Sequence, residues 1–335
     1  MSGSFDRVME ERKLLVEKII ENMKQGYILP KPQWDSGSFS FHNPVSNAVY
    51  RGSNMLKLWM ASEAKGYEDT RFMTFKQAQS KGWKVKKGET GIRLEKYIFE
   101  KQVEQKNPDT GEMEKVTVKL QRPMVNTFVV FNASQIEGIP PREHKVLEHN
   151  EVMDIADRLI ASSQCPVYEK EQGKAFYSPK EDSITLPPRN NFINQEAFTT
   201  TLMHEMVHST GHESRLDRQL LNYFGTPDYA KEELRAELGA FFIGTDLGIE
   251  GSQELLDSHT GYLESWISVL ENDPNELFRA CSDAQKAAQY LTDNYEKKLE
   301  MEKAVEQNAV MELDQSIEEA IARAELAEPD MGMEM

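Results

Sequence analysis

The chain has 335 residues, 39% of them hydrophobic and 28% charged, enough for two domains with separate cores. No run approaches the roughly 18 consecutive apolar residues of a membrane span, and the two cysteines, Cys165 and Cys281, exclude a disulfide framework or a cysteine-built zinc site. The net charge of −17 argues against a general nucleic-acid binder, but it is unevenly distributed: residues 1–140 carry 22 Lys+Arg against 17 Asp+Glu, a net of +5, while residues 141–335 carry 17 against 39, a net of −22.

The opening residues lack the basic start, apolar core and small-residue cleavage site of an export signal. The expected compartment is therefore the cytoplasm, with no membrane partner. Phe5 to Lys24 has the apolar spacing of an amphipathic helix. Tyr27 to Ser53, with Pro30, Pro32, Gly37, Pro44 and Gly52, reads as extended or loop. Helical spacing returns from Asn54 to Lys65, and Thr74 can cap a short helix through Gln79 that ends near Gly82. Ile92 to Phe99, Lys115 to Leu120 and Thr127 to Phe131 read as strands, with a turn at Asn107 to Gly111. Gly138 to Pro141 is a natural linker.

Beyond it, a helix is expected from about Val146 to Ser162, then a hairpin from Ala175–Tyr177 and Ser183–Leu186. Helices follow at Glu196–Ser209, Tyr229–Leu247 and Gly261–Leu270, and one or two long ones from Asn275 to about Glu325; residues 329–335 should be disordered. The fold class is α+β in two domains. Residues 1–140 form a small mixed domain, residues 146–292 a mainly helical domain with a small sheet, and residues 293–335 an acidic helical extension and tail.

The sharpest signal is His204-Glu205-Met206-Val207-His208 inside a helical pattern. Histidines four apart sit one above the other on one helical face, so both imidazoles reach a single ion while Glu205 points at its bound water. A zinc ion with three protein ligands keeps a position for water, lowers the water's pKa and polarises a carbonyl. Glu205 is thus the candidate general base. The third ligand should come from the helix around Lys231 to Glu237, where Glu233 and Glu237 share a face: Glu233 is the expected ligand, and Glu237 the alternative or the partner of a ligating histidine. Zinc is the expected metal, with another divalent ion such as manganese an alternative. His212 comes two residues too early for the third histidine of a metzincin and fits a structural or substrate-side role. His259 is a candidate to stabilise an oxyanion, against a structural reading.

In residues 27–99 basic and aromatic side chains interleave. Tyr50, Arg51, Asn54, Lys57, Trp59, Arg71, Trp83, Lys84, Lys86, Lys87 and Arg93 are candidates to bind single-stranded nucleic acid, whose bases stack on rings while cations follow the phosphates. The competing reading places the rings in a small core, with lysines for solubility.

Further short motifs are Asn43-Pro44, Tyr50-Arg51-Gly52-Ser53-Asn54, Thr74 to Ala78, Lys87 to Gly91 and Val130-Phe131-Asn132. This set resembles the N-terminal domain of ArdC-type antirestriction proteins of conjugative plasmids and related mobile elements. The second half is similar to their zincin-like metallopeptidase domain through Ile184 to Pro187, His204 to His212, Ser214 to Arg218 and Tyr229 to Glu237. Tyr262 to Trp266 and Ala284 to Ala288 extend the resemblance, which covers about residues 5–292. It implies a protein that binds single-stranded DNA, protects incoming DNA from restriction, and holds metal through His204, His208 and Glu233. The acidic extension departs from that pattern. Three alternatives stay open: a DNA-coating protein whose metal only staples the fold, a peptidase acting on DNA-bound proteins, and an acidic DNA mimic.

Overall fold

The computed structural model describes residues 2–29, 40–107, 111–142, 149–218, 220, 226–249 and 260–326. Trp34, Phe39, His259 and residues 329–335 lie outside them. Helix α1 (Ser2–Lys24) turns Val8, Leu15, Val16, Ile19, Ile20 and Met23 inward at helical spacing. In the next described segment, the side chain of Asn43 accepts the backbone N–H of Val45 and Ser46 at 3.0 and 3.2 Å, which closes the turn at Pro44. Helix α2 (Gly52–Lys65) ends at Gly66, whose φ of 65° is the left-handed stop that glycine permits.

Strand β1 (Phe72–Thr74) leads directly into α3 (Phe75–Ser80), which starts at a capping box between Thr74 and Gln77. Strand β2 (Lys84–Val85) follows, then β3 (Ile92–Lys106), β4 (Met113–Asn132) and β5 (Ile136–Glu137). The sheet order is β1-β4-β3, all antiparallel, and β2 pairs separately with β5. The sequence suggested three separate strands after Gly91, whereas β3 and β4 form one long hairpin. Pro123 lies between two of the segments expected as separate strands. Between Ile98↔Met124 and Glu100↔Lys119 the register shifts, so residues 120–123 lie opposite Phe99 alone, and a proline is tolerated at such an irregularity because it owes the ladder no N–H.

The second half opens with α4 (His149–Ser162); the residues before 149 where this helix was expected to begin lie outside the described ones. Strands β6 (Val167–Glu169), β7 (Phe176–Ser178) and β8 (Ser183–Leu186) form a sheet in the order β6-β8-β7. The β7–β8 hairpin was legible; β6, which runs parallel to β8, was not. Helices α5 (Gln195–Ser209), α6 (Pro227–Leu247), α7 (Thr260–Asn272) and α8 (Asn275–Leu326) complete the fold. Asn194 caps α5 and Thr226 caps α6, each through a side-chain oxygen that accepts a first-turn N–H.

The architecture is α+β with two domains, yet one hydrophobic core runs through both. Met55, Leu58 and Trp59 of α2 share it with Phe242 and Ile243 of α6 and Ala284 of α8. Trp59 meets Phe241 edge-to-face at 4.9 Å, Arg51 pairs with Asp246 at 2.8 Å, and the Gly52 N–H donates to Gln285 at 2.9 Å. The first domain therefore rests against the helix that carries Glu233. No helix among the described residues is long and apolar enough to cross a membrane.

Candidate metal centre

Helices α5 and α6 pack closely because Gly239 faces Val207. A Cβ on Gly239 would lie 2.7 Å from Val207 Cγ2, so any larger residue would force Val207 or the helix to shift. The contact falls within the His204–His208 segment and carries the acidic face of α6 against it.

His204, His208 and Glu233 each bring one ligand atom to within 4.8 Å of the others. The two Nε2 atoms are 3.1 Å apart, Glu233 Oε2 is 3.6 Å from His204 Nε2, and Glu233 Oε1 is 3.5 Å from His208 Nε2. Around a tetrahedral ion with ligands near 2.0–2.1 Å, neighbouring donors should stand about 3.3–3.5 Å apart. The three donors fit a single small cation. Glu237, the alternative ligand, instead faces the far nitrogen of His204, with Oε1 3.5 Å from Nδ1. Both Glu233 and Glu205 are buried.

Carboxylates crowd this pocket. Glu232, which the sequence reading did not single out, lies 3.5 Å from His208 Nδ1 and is held by Arg218 at 2.8 Å. Burial works against charge on His208, yet Glu232, Glu233 and Glu205 outweigh it and raise its pKa to about 9. Burial likewise opposes the Glu233 carboxylate, but hydrogen bonding from His204, the His208 charge and the Tyr229 side chain bring it to about 2. Nothing periodic in the sequence announces Arg218 or Glu232, since their pairing depends on how the turn after α5 folds back.

His212 stands apart from the cluster, with Nδ1 2.8 Å from Ser214 Oγ and accepting the Ser214 N–H at 3.2 Å. His259 lies outside the described residues.

The structure divides the proposed nucleic-acid residues. Tyr50 is buried, and its hydroxyl donates to the Phe72 carbonyl at 3.0 Å; Trp59 is buried against Phe241. Neither ring has a free face for a base. Lys57 is buried and pairs with Glu95 at 2.5 Å, Asn54 exchanges hydrogen bonds with the Glu95 backbone, and Arg51 holds Asp246. Arg71 is taken up by Asp69 and the Pro140 carbonyl, and Arg93 by Glu11. Lys84, Lys86 and Lys87 remain exposed, beside the half-buried Trp83. Lys76 and Lys81 of the same interleaved stretch join them, so residues 75–88 carry five exposed lysines and no acidic residue. Phe75, 52% exposed, lies in the same segment.

Comparison with known proteins identifies relatives of both halves. Residues 9–131 fit the N-terminal domain of the anti-restriction factor ArdC, and residues 154–283 fit a zincin-like metallopeptidase family. The metal-free crystal structure of the antirestriction protein ArdC from plasmid R388 aligns with a TM-score of 0.66 at 30% identity, covering 85% of this chain and 98% of that one. The chain belongs to the ArdC antirestriction family. The Mn(II)-bound structure of the same relative aligns equally well, with a TM-score of 0.66 at 29% identity and coverage of 85% and 97%. An uncharacterized Sinorhizobium fredii protein, y4eC, is 31% identical over 281 residues, 83% of this chain and 90% of its own length. The DNA primase TraC of Escherichia coli is 36% identical over 332 residues, which is 94% of this chain but 30% of that relative. The chain thus spans about a third of the primase it matches. The Mn(II)-bound relative supports a divalent metal, and His204, His208 and Glu233 on α5 and α6 are a donor set that could hold one.

Proposed function

We propose that this chain is an antirestriction factor that holds single-stranded DNA through its first half and carries a zinc-dependent peptidase centre in its second, the two divided near residues 140–146. The observation that carries the catalytic reading is the convergence of His204, His208 and Glu233 beside Glu205. A divalent metal held by those three residues supplies a Lewis acid for the scissile carbonyl and an acidified water. Two histidines and a carboxylate suit zinc, with manganese the other candidate. Glu205 receives the proton that the attacking water sheds and returns it to the leaving amine. Glu237 and Glu232 orient the ligating imidazoles from their far nitrogens.

The nucleic-acid reading rests on residues 75–88 of α3 and β2, where five exposed lysines face no competing carboxylate of their own segment and Phe75 offers an exposed ring. Lysines there would follow phosphates while the ring stacks on a base.

Glu205→Gln tests the first part: peptide hydrolysis should fall by about 10²–10⁴ while metal stays bound, and unchanged turnover would refute it. For the second part, single-strand binding by the full chain is measured across a salt series. Lys84→Gln with Lys87→Gln should flatten the logarithmic slope by about 0.7 per lysine removed, and an unaltered slope would exclude this surface.

A second reading, in which the metal only staples α5 to α6, draws on the burial of His204, Glu205 and Glu233. It predicts that Glu205→Gln leaves antirestriction intact. A peptidase directed at DNA-bound proteins would instead lose protection in that variant.

A further inference from the structure

Besides Glu237, two charged residues at the metal centre are neither ligands nor the proposed base. Glu232 lies one residue before Glu233 on α6, and its Oε1 is 3.5 Å from His208 Nδ1, the nitrogen facing away from the other donors. Arg218 lies after α5. Its guanidinium donates to both oxygens of Glu232, at 2.8 and 3.2 Å, and its remaining arms reach the Thr210 hydroxyl at 2.7 Å and the Val207 carbonyl at 2.8 Å. The turn that delivers Arg218 is itself fixed: Leu216 N–H donates to the Thr210 carbonyl, Asp217 takes a left-handed φ of 47°, and Arg218 N–H donates to the Gly211 carbonyl. One guanidinium thus ties the last turn of α5 to α6.

A neutral imidazole carries a single proton, and it can bind a cation through Nε2 only if that proton sits on Nδ1. A fixed carboxylate at Nδ1 selects this tautomer and holds the plane of the ring. We propose that Arg218 and Glu232 act as a positioning pair for His208, Arg218 anchoring the carboxylate and Glu232 aiming Nε2 at the metal. The inference rests on the metal reading above. His204 serves as an internal reference, because its Nδ1 faces a different carboxylate, Glu237, at 3.5 Å.

The test uses full-length protein, with zinc affinity measured by competition against a chromophoric chelator and the imidazole N–H protons of the zinc-loaded form followed by NMR. Glu232→Gln should weaken zinc binding by about 10–100-fold and shift or abolish the His208 Nδ1–H signal, leaving that of His204 in place. Arg218→Lys keeps the charge but loses the fork; it should shift both readouts the same way by less, and it carries the test if Glu232→Gln does not fold. Zinc affinity within twofold of wild type together with an unchanged His208 signal would overturn the proposal. Wild-type protein that binds no zinc would overturn the metal reading beneath it, an outcome distinct from a wild type and a Glu232→Gln variant that bind equally well.

Discussion

Two buried clusters of charge among the described residues, one in each half, are built in opposite ways. In the first half, the Glu95 side chain is 1% exposed and meets Arg12 and Lys57, while the Tyr97 hydroxyl donates to it at 3.1 Å. Two cations surround one carboxylate. In the second half, Glu205, Glu232 and Glu233 are buried and Glu237 stands at their edge, and Arg218 pairs with Glu232. Buried charge is costly unless it is compensated. The Glu95 cluster is closed by its own residues and ties α1 and α2 to β3. The second cluster is rich in carboxylates and brings three donors to the spacing of one small cation, which is why burial there points to a ligand.

Removing one member should separate the two. Glu233→Ala takes away a ligand and should weaken zinc binding by more than the roughly 100-fold expected for an outer residue, as measured by chelator competition. Glu95→Ala strands Lys57 and Arg12 and should destabilise the fold by about 3–5 kcal/mol in denaturant unfolding. Zinc affinity of the folded Glu95→Ala protein should stay near wild type, and a large loss there would break the distinction.

Acid and alkali should act on different clusters. Glu95 has a lowered pKa: burial opposes its charge, but hydrogen bonds and charge from Arg12 and Lys57 prevail. Its contribution is complete above the unfolded value of about 4.3 and is lost as pH falls toward the lower folded value, so wild type and Glu95→Gln should converge in stability in acid. His208 has a raised pKa of about 9. Its contribution to the metal-free protein, roughly 3 kcal/mol, is complete below about pH 6.5 and is lost as pH rises through 9. Metal-free protein should therefore melt progressively lower across that window, and His208→Gln should flatten the trend.

The smallest effect concerns helix approach. Gly239→Ala forces Val207 to give way, at about 1–3 kcal/mol, and should weaken zinc binding as well because the crowded contact lies between the two ligand helices. Equal zinc affinity in that variant would mean that the α5–α6 distance does not set the site.

Legibility in the sequence followed the same division. Histidines four apart are a statement about geometry, because the helical period alone puts both on one face; the pairing of Glu233 with Glu237 was readable for the same reason, and the structure assigns the two to opposite nitrogens of His204. Lys57 and Trp59 carried only composition. A lysine reads alike whether it meets a phosphate or neutralises Glu95, and Trp59 is enclosed because α2 packs on α6, a contact between residues far apart in the chain. The helices were legible through their stops, Gly248 after α6 among them, while the Thr226 cap and the start of α6 at Pro227 were not read. The length of the β3–β4 hairpin was not, since Pro123 interrupts the local pattern while pairing resumes across it.

The most direct measurement is a calorimetric titration of zinc into metal-free, full-length protein at neutral pH, repeated with His204→Ala. One equivalent bound per wild-type chain, with proton release as His208 gives up its proton, and loss of that binding in the variant, is the predicted result. No saturable binding by wild type, or equal binding by His204→Ala, would contradict the claim that His204, His208 and Glu233 form a metal centre here.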